Sequence, residues 1–300
     1  MHSLSYWWTL APCASLGRMT RMLVVVVGMV LGSATISSAA AAPSGLLRDY
    51  RVLGIESVTL RRGVSIDGGD VGCNVSGGTI TMMARARVAG AVAASTVRVG
   101  TGAGADELFC SGLEPFGPTQ ATCKPINTPF ISENRFEGVQ ANPGDQDVDV
   151  PVGAVIGPVL PGPFGAVRIA RGGRLTLVGG EYDLRSLWIG RGAQLVCEAD
   201  CTLRVGGRVV LRQAAFLGGA SKPNNPIEVR LDVASDLGRR ASVRVYRRSV
   251  VDARVYAPRG GILLGINGSY RGSFIGRTVY VYQGARIEGP AEAAPATGDP

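Results

Sequence analysis

Two pairs of carboxylates have a spacing that could support acid–base or metal chemistry. Glu181 with Asp183, and Glu198 with Asp200, are each two positions apart, so on a strand both members of a pair would share a face. Paired carboxylates act as acid and base in glycoside hydrolysis, and carboxylate clusters also bind calcium. These four residues are the candidates for a polysaccharide lyase or hydrolase. We favour the rival interpretation, in which they serve turns and a structural Gly-Glu-Tyr-Asp-Leu segment.

A third acidic group, Asp145, Asp147 and Asp149, resembles the opening of a calcium loop. An EF-hand loop also needs Gly at its sixth position and Glu at its twelfth. This chain has Val150 and Ile156 at those positions. We therefore predict a solvated acidic linker, with no metal and no cofactor, and keep a looser calcium site as the alternative.

Histidine chemistry is excluded if the N-terminus is removed on export. The chain has a single histidine, His2, and without it neither a Ser-His-Asp triad nor a Cys-His pair can form. The glycine-rich run at 100–104 lacks the following helix that a phosphate-binding loop requires. We predict that the protein is not an enzyme.

The first 41 residues are typical of an export signal. Arg18 and Arg21 precede an apolar run at 22–31 and a small-residue stretch at 37–42, and cleavage after Ala41 fits best. The apolar run is too short to span a bilayer, although an uncleaved anchor is the alternative. We predict a periplasmic, secreted or cell-surface protein with no transmembrane span in the mature chain.

Five cysteines remain after residue 41, and their spacing predicts two disulfides. The expected bonds are Cys110–Cys123 and Cys197–Cys201, because each pair closes a short loop and exported proteins oxidise their thiols. Cys73 is left as a buried thiol or an intermolecular link. A zinc site would need four thiolates, and no C-x-x-C pair is present.

The mature chain is basic, with 29 Lys+Arg against 23 Asp+Glu, a net charge of +6. A basic surface attracts anionic polysaccharide or another anionic cell-surface component. The arginines of 168–286 alternate singly with apolar residues, which is typical of a solvated strand face, and we favour that interpretation. No compact Lys/Arg cluster interleaved with aromatics occurs, so we predict no nucleic-acid partner.

Short apolar-x-apolar triplets separated by glycines recur through the chain. Examples are Val167–Ile169, Leu175–Leu177, Leu187–Ile189, Leu203–Val205, Val243–Val245 and Val279–Val281. Such alternation predicts very short strands with one buried side. A sandwich would need strands of about five or six residues. The pattern therefore predicts an all-β parallel β-helix, or β-solenoid, of three-residue strands with glycine corners.

Composition divides the chain further. We expect an N-terminal solenoid part at 42–112, a Pro-rich acidic connector or long loop at 113–165, the main solenoid at 166–289 and a disordered tail at 290–300. The connector holds nine of the 17 prolines.

Aromatic residues concentrate near the C-terminus at Tyr270, Phe274, Tyr280 and Tyr282. We expect them to cap the open end of the solenoid, because such an end exposes unpaired backbone groups. Stacking on sugars is the alternative. Trp188 is expected in the core or between stacked coils.

Two segments resemble exported bacterial β-helix modules of cell-surface and pilus-associated proteins. They are Gly179–Gly190, which reads GGEYDLRSLWIG, and Val255–Gly276, which begins VYAP and continues with spaced glycines. The coil pattern is similar to that of the bactofilin polymer-forming proteins. The resemblance covers most of 50–110 and 160–289, and it implies a β-helix whose motifs are structural. The Pro-rich insert and the export signal depart from a plain bactofilin.

The sequence thus predicts a non-enzymatic, exported β-helix protein with a structural or surface-interaction role and possible self-association. A carbohydrate-binding module is the second hypothesis, and a polysaccharide lyase or hydrolase the third.

Overall fold

The computed structural model describes residues 47–118, 120–132, 136–220, 226–236 and 241–289. The expected signal peptide at 1–41 and the tail at 290–300 lie outside these ranges. The described chain folds into an all-β parallel β-solenoid of about 11 turns, which confirms the predicted fold class. Within it, no helix is long or apolar enough to cross a membrane.

One short 3-10 helix, Leu47–Asp49, precedes the strands. The strands are β1 (Tyr50–Leu60), β2 (Ser65–Asp67), β3 (Asp70–Cys73), β4 (Thr79–Met82), β5 (Arg87–Val99), β6 (Gly104–Pro115), β7 (Val148–Val150), β8 (Val155–Val159), β9 (Gly162–Ile169), β10 (Arg174–Leu177), β11 (Gly180–Ile189), β12 (Gln194–Cys197), β13 (Cys201–Val205), β14 (Val209–Leu211), β15 (Phe216–Gly219), β16 (Val229–Val233), β17 (Ala241–Val245), β18 (Val250–Asp252), β19 (Arg254–Leu264), β20 (Ser269–Arg271), β21 (Phe274–Val281) and β22 (Arg286–Glu288).

Each complete turn contributes to three parallel faces, and the two terminal turns contribute to two. The first face contains β3, β13 and β16, the second contains β4, β7, β14 and β17, and the third contains β2, β8, β10, β12, β15, β18, β20 and β22. The longer strands continue through a corner from one face to the next. The corner between the second and third faces is called the second corner below.

Side chains along each strand point alternately into and out of the solenoid, and this alternation decides which of them fill the interior. In β11, Leu187 and Ile189 are buried while Trp188 between them is 37% exposed. Their register partners Val209 and Leu211 on β14 are buried as well. Inward columns of Val, Leu and Ile therefore stack from turn to turn, as the triplets predicted. The expectation that Trp188 lies in the core is wrong, because it occupies the outward position of its triplet.

The order of turns in space differs from the order in the chain. Residues 148–288 form seven consecutive turns, and the last of these, β21, pairs in parallel with β1. Residues 50–115 then form four more turns, which end at β6. The N-terminal turns thus extend the C-terminal end of the solenoid.

This arrangement overturns the expected aromatic cap. Tyr270 and Phe274 are fully buried in the interior. Tyr280 lies opposite Thr59 of β1, so the turn that carries it is covered by another turn. No open end exists at this position for Tyr280 or Tyr282 to cap.

A segment that we call the strap, of which the structure describes residues 116–118, 120–132 and 136–147, contacts both ends of the solenoid. Its Lys124 exchanges backbone hydrogen bonds with Leu108 and Cys110 on the last turn. From there it runs back along the first face, and its Gln146 carbonyl accepts a hydrogen bond from Gly165 at the far end. Of the expected connector at 113–165, residues 148–150 and 155–159 form β7 and β8, and residues 162–165 belong to β9.

Buried contacts hold the strap to the first face. Asn74 Nδ2 donates to the Ile131 carbonyl at 2.7 Å, and the Ile131 amide donates to Asn74 Oδ1 at 2.8 Å. Beside this pair, Tyr50, Leu53 and Ile275 form a small second core with Ile131. Phe130 stacks on Tyr50 with ring centroids 5.7 Å apart. The outer side of the first face is therefore apolar where the strap covers it.

Both expected disulfides are present. Cys110–Cys123 ties the start of the strap to β6, and Cys197–Cys201 closes the corner between β12 and β13. Cys73 is a free thiol with no exposed surface. Burial raises the pKa of Cys73 to about 12. Because the sulfur is fully buried, an intermolecular link through Cys73 would require the fold to open.

The second corner repeats one tight turn along the solenoid. At each level one residue has a positive φ, and at every level except the last its amide donates to a carbonyl of the adjacent turn, as Ala214 does to Arg247. The residues in this column are Gly153, Gly172, Gly192, Ala214, Arg248, Asn267, Gly284, Gly63, Arg85 and Gly102. All four non-glycine residues with positive φ in the described chain belong to it.

Candidate functional site

The predicted carboxylate pairs are held by arginines or by the backbone. Arg204 reaches Glu181 Oε1 at 2.6 Å and Asp183 Oδ2 at 3.7 Å. Asp183 also accepts a hydrogen bond from the Asn142 amide of the strap at 3.4 Å. The hydrogen bond to Glu181, with its charge, holds the pKa of Arg204 above its ordinary value. This first pair acts as a cross-turn ion-pair network.

The second pair lies in the corner closed by a disulfide. Asp200 Oδ1 accepts a hydrogen bond from the Glu228 amide at 2.8 Å, and the Glu198 amide donates to the Leu177 carbonyl at 2.9 Å. Both residues sit at the turn that leads from the third face into β13. The turn interpretation of the sequence accounts for the Asp200 contact.

The aspartates of the supposed calcium loop also contact arginines. Asp147 accepts a 2.7 Å hydrogen bond from the Ala166 amide and lies 3.3 Å from Arg168. That backbone hydrogen bond, together with Arg168, lowers the pKa of Asp147. Asp149 lies 3.6 Å from the same arginine, and Asp145 lies 3.3 Å from Arg185. In the described ranges, no group of three or more His, Cys, Asp or Glu side chains could hold a metal ion.

Arginines of a different kind line the second corner, and we call them the arginine ridge. Eight exposed arginines form it, and they come from six of the turns: Arg171, Arg191, Arg212, Arg247, Arg248, Arg61, Arg62 and Arg85. Backbone hydrogen bonds from one corner to the next place them in two stretches, four turns from Arg171 to Arg248 and two turns from Arg61 to Arg85. The two turns between these stretches, at Asn267 and Gly284, carry no arginine at the corner. Adjacent turns of a parallel sheet are about 4.8 Å apart. The ridge is therefore a nearly linear array of positive charge.

The ridge arginines differ from the other arginines in their partners. None of the eight has an ion pair within the described part of the chain. In contrast, several arginines on the strand faces pair with acids on neighbouring turns, such as Arg98 with Glu114 at 3.0 Å and Arg277 with Glu56 at 2.6 Å. A few exposed arginines outside the second corner, such as Arg174 and Arg286, also have no ion pair in the described chain, but they do not follow one another on adjacent turns. Because the ridge charges are not neutralised, they are available to an external anion.

Tyrosines accompany the ridge. The Arg212 guanidinium lies over the Tyr246 ring at 4.9 Å, and Arg61 lies over Tyr280 at 5.7 Å. A hydrogen bond from Arg244, together with the charges of Arg244 and Arg212, lowers the pKa of Tyr246, and burial opposes part of this effect. Cation–π contacts hold an arginine in place without neutralising its charge.

The ridge contains a cavity of about 560 Å³. Its walls come from Arg244 and Tyr246 on one turn and from Tyr282 two turns further along, while Leu263 and Gly265 of the intervening turn form the floor. The cavity exists because this intervening turn contributes a glycine and an aliphatic residue between longer side chains. A Cβ at Gly265 would overlap the main chain of Tyr246.

The sequence did not single out the ridge. Its arginines are spread over 188 residues of chain, from Arg61 to Arg248, and the join between β21 and β1 places Arg61 and Arg62 beside the C-terminal turns. The usable signal was the dipeptide Arg-Gly, which places Arg62, Arg171 and Arg191 each before a positive-φ corner glycine. The same dipeptide also occurs at Arg259 and Arg271, outside the ridge.

Comparison with known proteins adds no family to this description. No protein-family model matches the chain, and neither the curated proteins nor the solved structures contain a match. The fold and the site together define a parallel β-solenoid that carries a basic ridge along one corner.

Proposed function

We propose that this chain is an exported, non-enzymatic surface-interaction protein that binds an anionic polymer along the arginine ridge. The observation that carries the proposal is the row of eight exposed arginines without ion-pair partners in the described chain. A rigid array of like charges costs stability through mutual repulsion. A polyanion lying along the corner would offset that repulsion.

Acidic polysaccharide is the class of polymer that fits best. Its negative charges repeat at about the length of one sugar unit, which is comparable to the spacing between adjacent turns. Arginine binds carboxylate and sulfate groups in a bidentate manner. Tyr246, Tyr280 and Tyr282 add aromatic surface on which the apolar side of a sugar ring can stack.

Export supports this choice of partner. The signal-like features of residues 1–41 and the two disulfides are what an oxidising compartment outside the cytoplasm would predict. A protein in that compartment meets cell-surface glycans rather than chromosomal DNA. The engagement of Glu181 and Asp183 by Arg204 favours binding over catalysis.

Retention on an immobilised polyuronate, eluted with salt, tests the proposal. The ridge variant carries Arg62→Gln, Arg85→Gln and Arg171→Gln. The matched control carries Arg98→Gln, Arg254→Gln and Arg277→Gln, which removes the same charge from arginines that have acidic partners. We expect the ridge variant to elute at clearly lower salt, while the control elutes near the parent.

Two results would reject the proposal. If both triple variants lose binding equally, binding depends only on net charge and not on the ridge. If the parent is not retained even at low salt, acidic polysaccharide is not its partner. A competition with duplex DNA belongs in the same experiment. Preferential displacement by DNA would assign the ridge to nucleic acid instead.

Self-association is a second candidate, favoured by the apolar end of the solenoid. On the terminal turn, Val152, Val155 and Leu160 are 73%, 71% and 70% exposed. Pro158 within β8 removes a backbone donor from this edge, so apolar contact is a better basis for association than strand pairing. Light scattering over a concentration series tests this candidate, with Val155→Asp as the disrupting variant. A parent that stays monomeric at every concentration would reject it.

A further inference from the structure

The cavity on the arginine ridge differs from the rest of the ridge in having walls and a floor. Arg191, Arg212, Arg244 and Arg247 all line it, and no acidic residue does. A concave site surrounded by four guanidinium groups focuses positive potential more strongly than an exposed corner. The cavity therefore favours an anionic group that enters it over one that only passes along the ridge.

One guanidinium of the cavity has an unsatisfied donor. Arg244 lies on β17 with its outward position between Val210 and Leu263. Its Nε is buried and has no hydrogen-bond partner within the described chain. A buried donor without a partner costs free energy. Because Nε has almost no accessible surface, a bound molecule could accept a hydrogen bond from it only after the guanidinium had shifted toward the cavity.

The remaining surface of the cavity is apolar and aromatic. Leu263 and Ile266 contribute aliphatic floor, and Tyr246 and Tyr282 stand on the two sides of Gly265. Two turns separate these tyrosines, about 9.6 Å along the axis. That separation leaves room for one ring-shaped unit between them, with its apolar side against a tyrosine and its polar groups toward the arginines.

We propose that this cavity is a recognition site for one anionic sugar unit, a pyranose ring that carries a carboxylate or a sulfate. The inference deepens the proposed function, because it selects the chemical unit that anchors a polymer on the ridge. Volumes of 300 to 1,000 Å³ are typical of ligand sites, and the cavity of about 560 Å³ falls within that range. The anionic group would accept hydrogen bonds from Arg244 and Arg212, and the ring would stack on Tyr282.

Calorimetric titration with short oligosaccharides tests the site apart from the polymer. The probes are a hexuronate trisaccharide, a sulfated trisaccharide of the same length and a neutral trisaccharide. We expect one or both of the anionic probes to bind and the neutral probe to bind much more weakly. The anionic probe that binds more tightly identifies the charged group.

Variants then locate the binding. Arg244→Gln and Tyr282→Ala should each weaken trisaccharide binding about tenfold or more, since hydrogen bonds to charged groups and aromatic contacts each contribute at that scale. Arg98→Gln, which removes a guanidinium that pairs with Glu114 outside the ridge, should leave the Kd within about twofold. Melting curves check that each variant is folded, and Tyr282→Phe should keep the stacking and most of the affinity.

The outcomes separate the two proposals. Polymer retention by the ridge without trisaccharide binding would overturn the cavity and leave the proposed function standing. Trisaccharide binding that is lost equally in Arg98→Gln and Arg244→Gln would also overturn it. Trisaccharide binding that depends on Arg244, without retention on the polymer, would support the cavity and reject the ridge as a polymer-binding surface.

Discussion

Arg277 Nε donates a 2.6 Å hydrogen bond to Glu56 Oε1 although the two residues are 221 positions apart in the chain. Their strands, β21 and β1, pair in parallel through register partners such as Val58 and Val279. This contact marks a seam where the C-terminal seven turns meet the N-terminal four. Across the seam the solenoid is continuous in space while the chain is not.

The seam predicts that a circular permutant will fold. Gly289 lies beside Arg51, since a Cβ on Gly289 would be 3.0 Å from Arg51 Nη2. A short linker from Gly289 to Leu47, with new termini between Gly117 and Pro118, makes all turns contiguous. We expect the same β circular-dichroism spectrum and a Tm within about 4 °C of the parent segment 47–289.

A second permutant, opened between Asp183 and Leu184 inside β11, should fail to fold. Equal behaviour of the two would contradict this order of turns.

The column of positive-φ residues predicts opposite effects for two similar substitutions. Ala214 has φ 55° and Gly192 has φ 62° on neighbouring turns. A side chain at positive φ costs about 1–2 kcal/mol, whereas glycine costs about 0.5–1 kcal/mol of chain entropy. Ala214→Gly should raise the free energy of unfolding by up to about 1 kcal/mol, and Gly192→Ala should lower it by about 1 kcal/mol. Denaturant titration measures both, and a loss in Ala214→Gly would count against the corner geometry.

Asn74 predicts how firmly the strap is held. Its side chain is 1% exposed and exchanges two hydrogen bonds with the main chain of Ile131. Asn74→Ala would leave two buried backbone groups unpaired, so we expect a loss of about 2 to 4 kcal/mol. Amide exchange at Ile131 should rise before global unfolding. Ser111→Ala, which removes an exposed 3.1 Å hydrogen bond to the Ile126 carbonyl, is the control and should cost under about 0.5 kcal/mol. Equal costs would refute a strap anchored at Asn74.

Buried thiol and phenol groups predict loss of stability in alkali. Burial raises the pKa of Cys73 from 9.0, and that of Tyr256 from 10.0, in each case to about 12. Burial also raises the pKa of Tyr50 and Tyr270. Since the folded state favours the neutral forms, their contribution is complete below pH 9 and is lost as pH rises from 9 to 12. For Cys73 alone the loss is on the order of 4 kcal/mol.

The measurement is the free energy of unfolding from pH 7 to pH 11. Cys73→Ala is the matched variant, because it removes the thiol and leaves the tyrosines. Between pH 9 and pH 10 its loss of stability should be about half that of the parent, because the contribution of the thiol is removed and that of the tyrosines remains. A parent curve that is flat up to pH 11 would be incompatible with a buried Cys73.

Local pattern was enough to predict the turns themselves. Leu187 and Ile189 are buried, and Leu203 and Val205 are buried one turn later, as their alternation indicated. Spacing also predicted both disulfides. These features depend on residues close together in the chain, so short windows contain the information.

The seam and the ridge depend on long-range register, which the sequence does not express. Nothing near Val58 indicates that Val279 is its partner. The predicted aromatic cap was wrong for this reason, because Tyr280 belongs to the last described turn along the chain but lies in the middle of the solenoid, opposite Thr59. The second corner was also hard to recognise from the sequence. Four of its positive-φ positions are not glycine but Arg85, Ala214, Arg248 and Asn267.

The seam also has a consequence for biosynthesis. Residues 50–115 emerge from the ribosome first, yet the side of β1 that faces β21 has no neighbour until residue 281 has been made. Until then the four N-terminal turns have an unpaired strand edge at β1, and an unpaired edge can pair with the wrong strand or with another chain. The joining of β1 to β21 therefore follows synthesis of both segments, so a chain truncated before residue 281 would retain that open edge and be exposed to quality control.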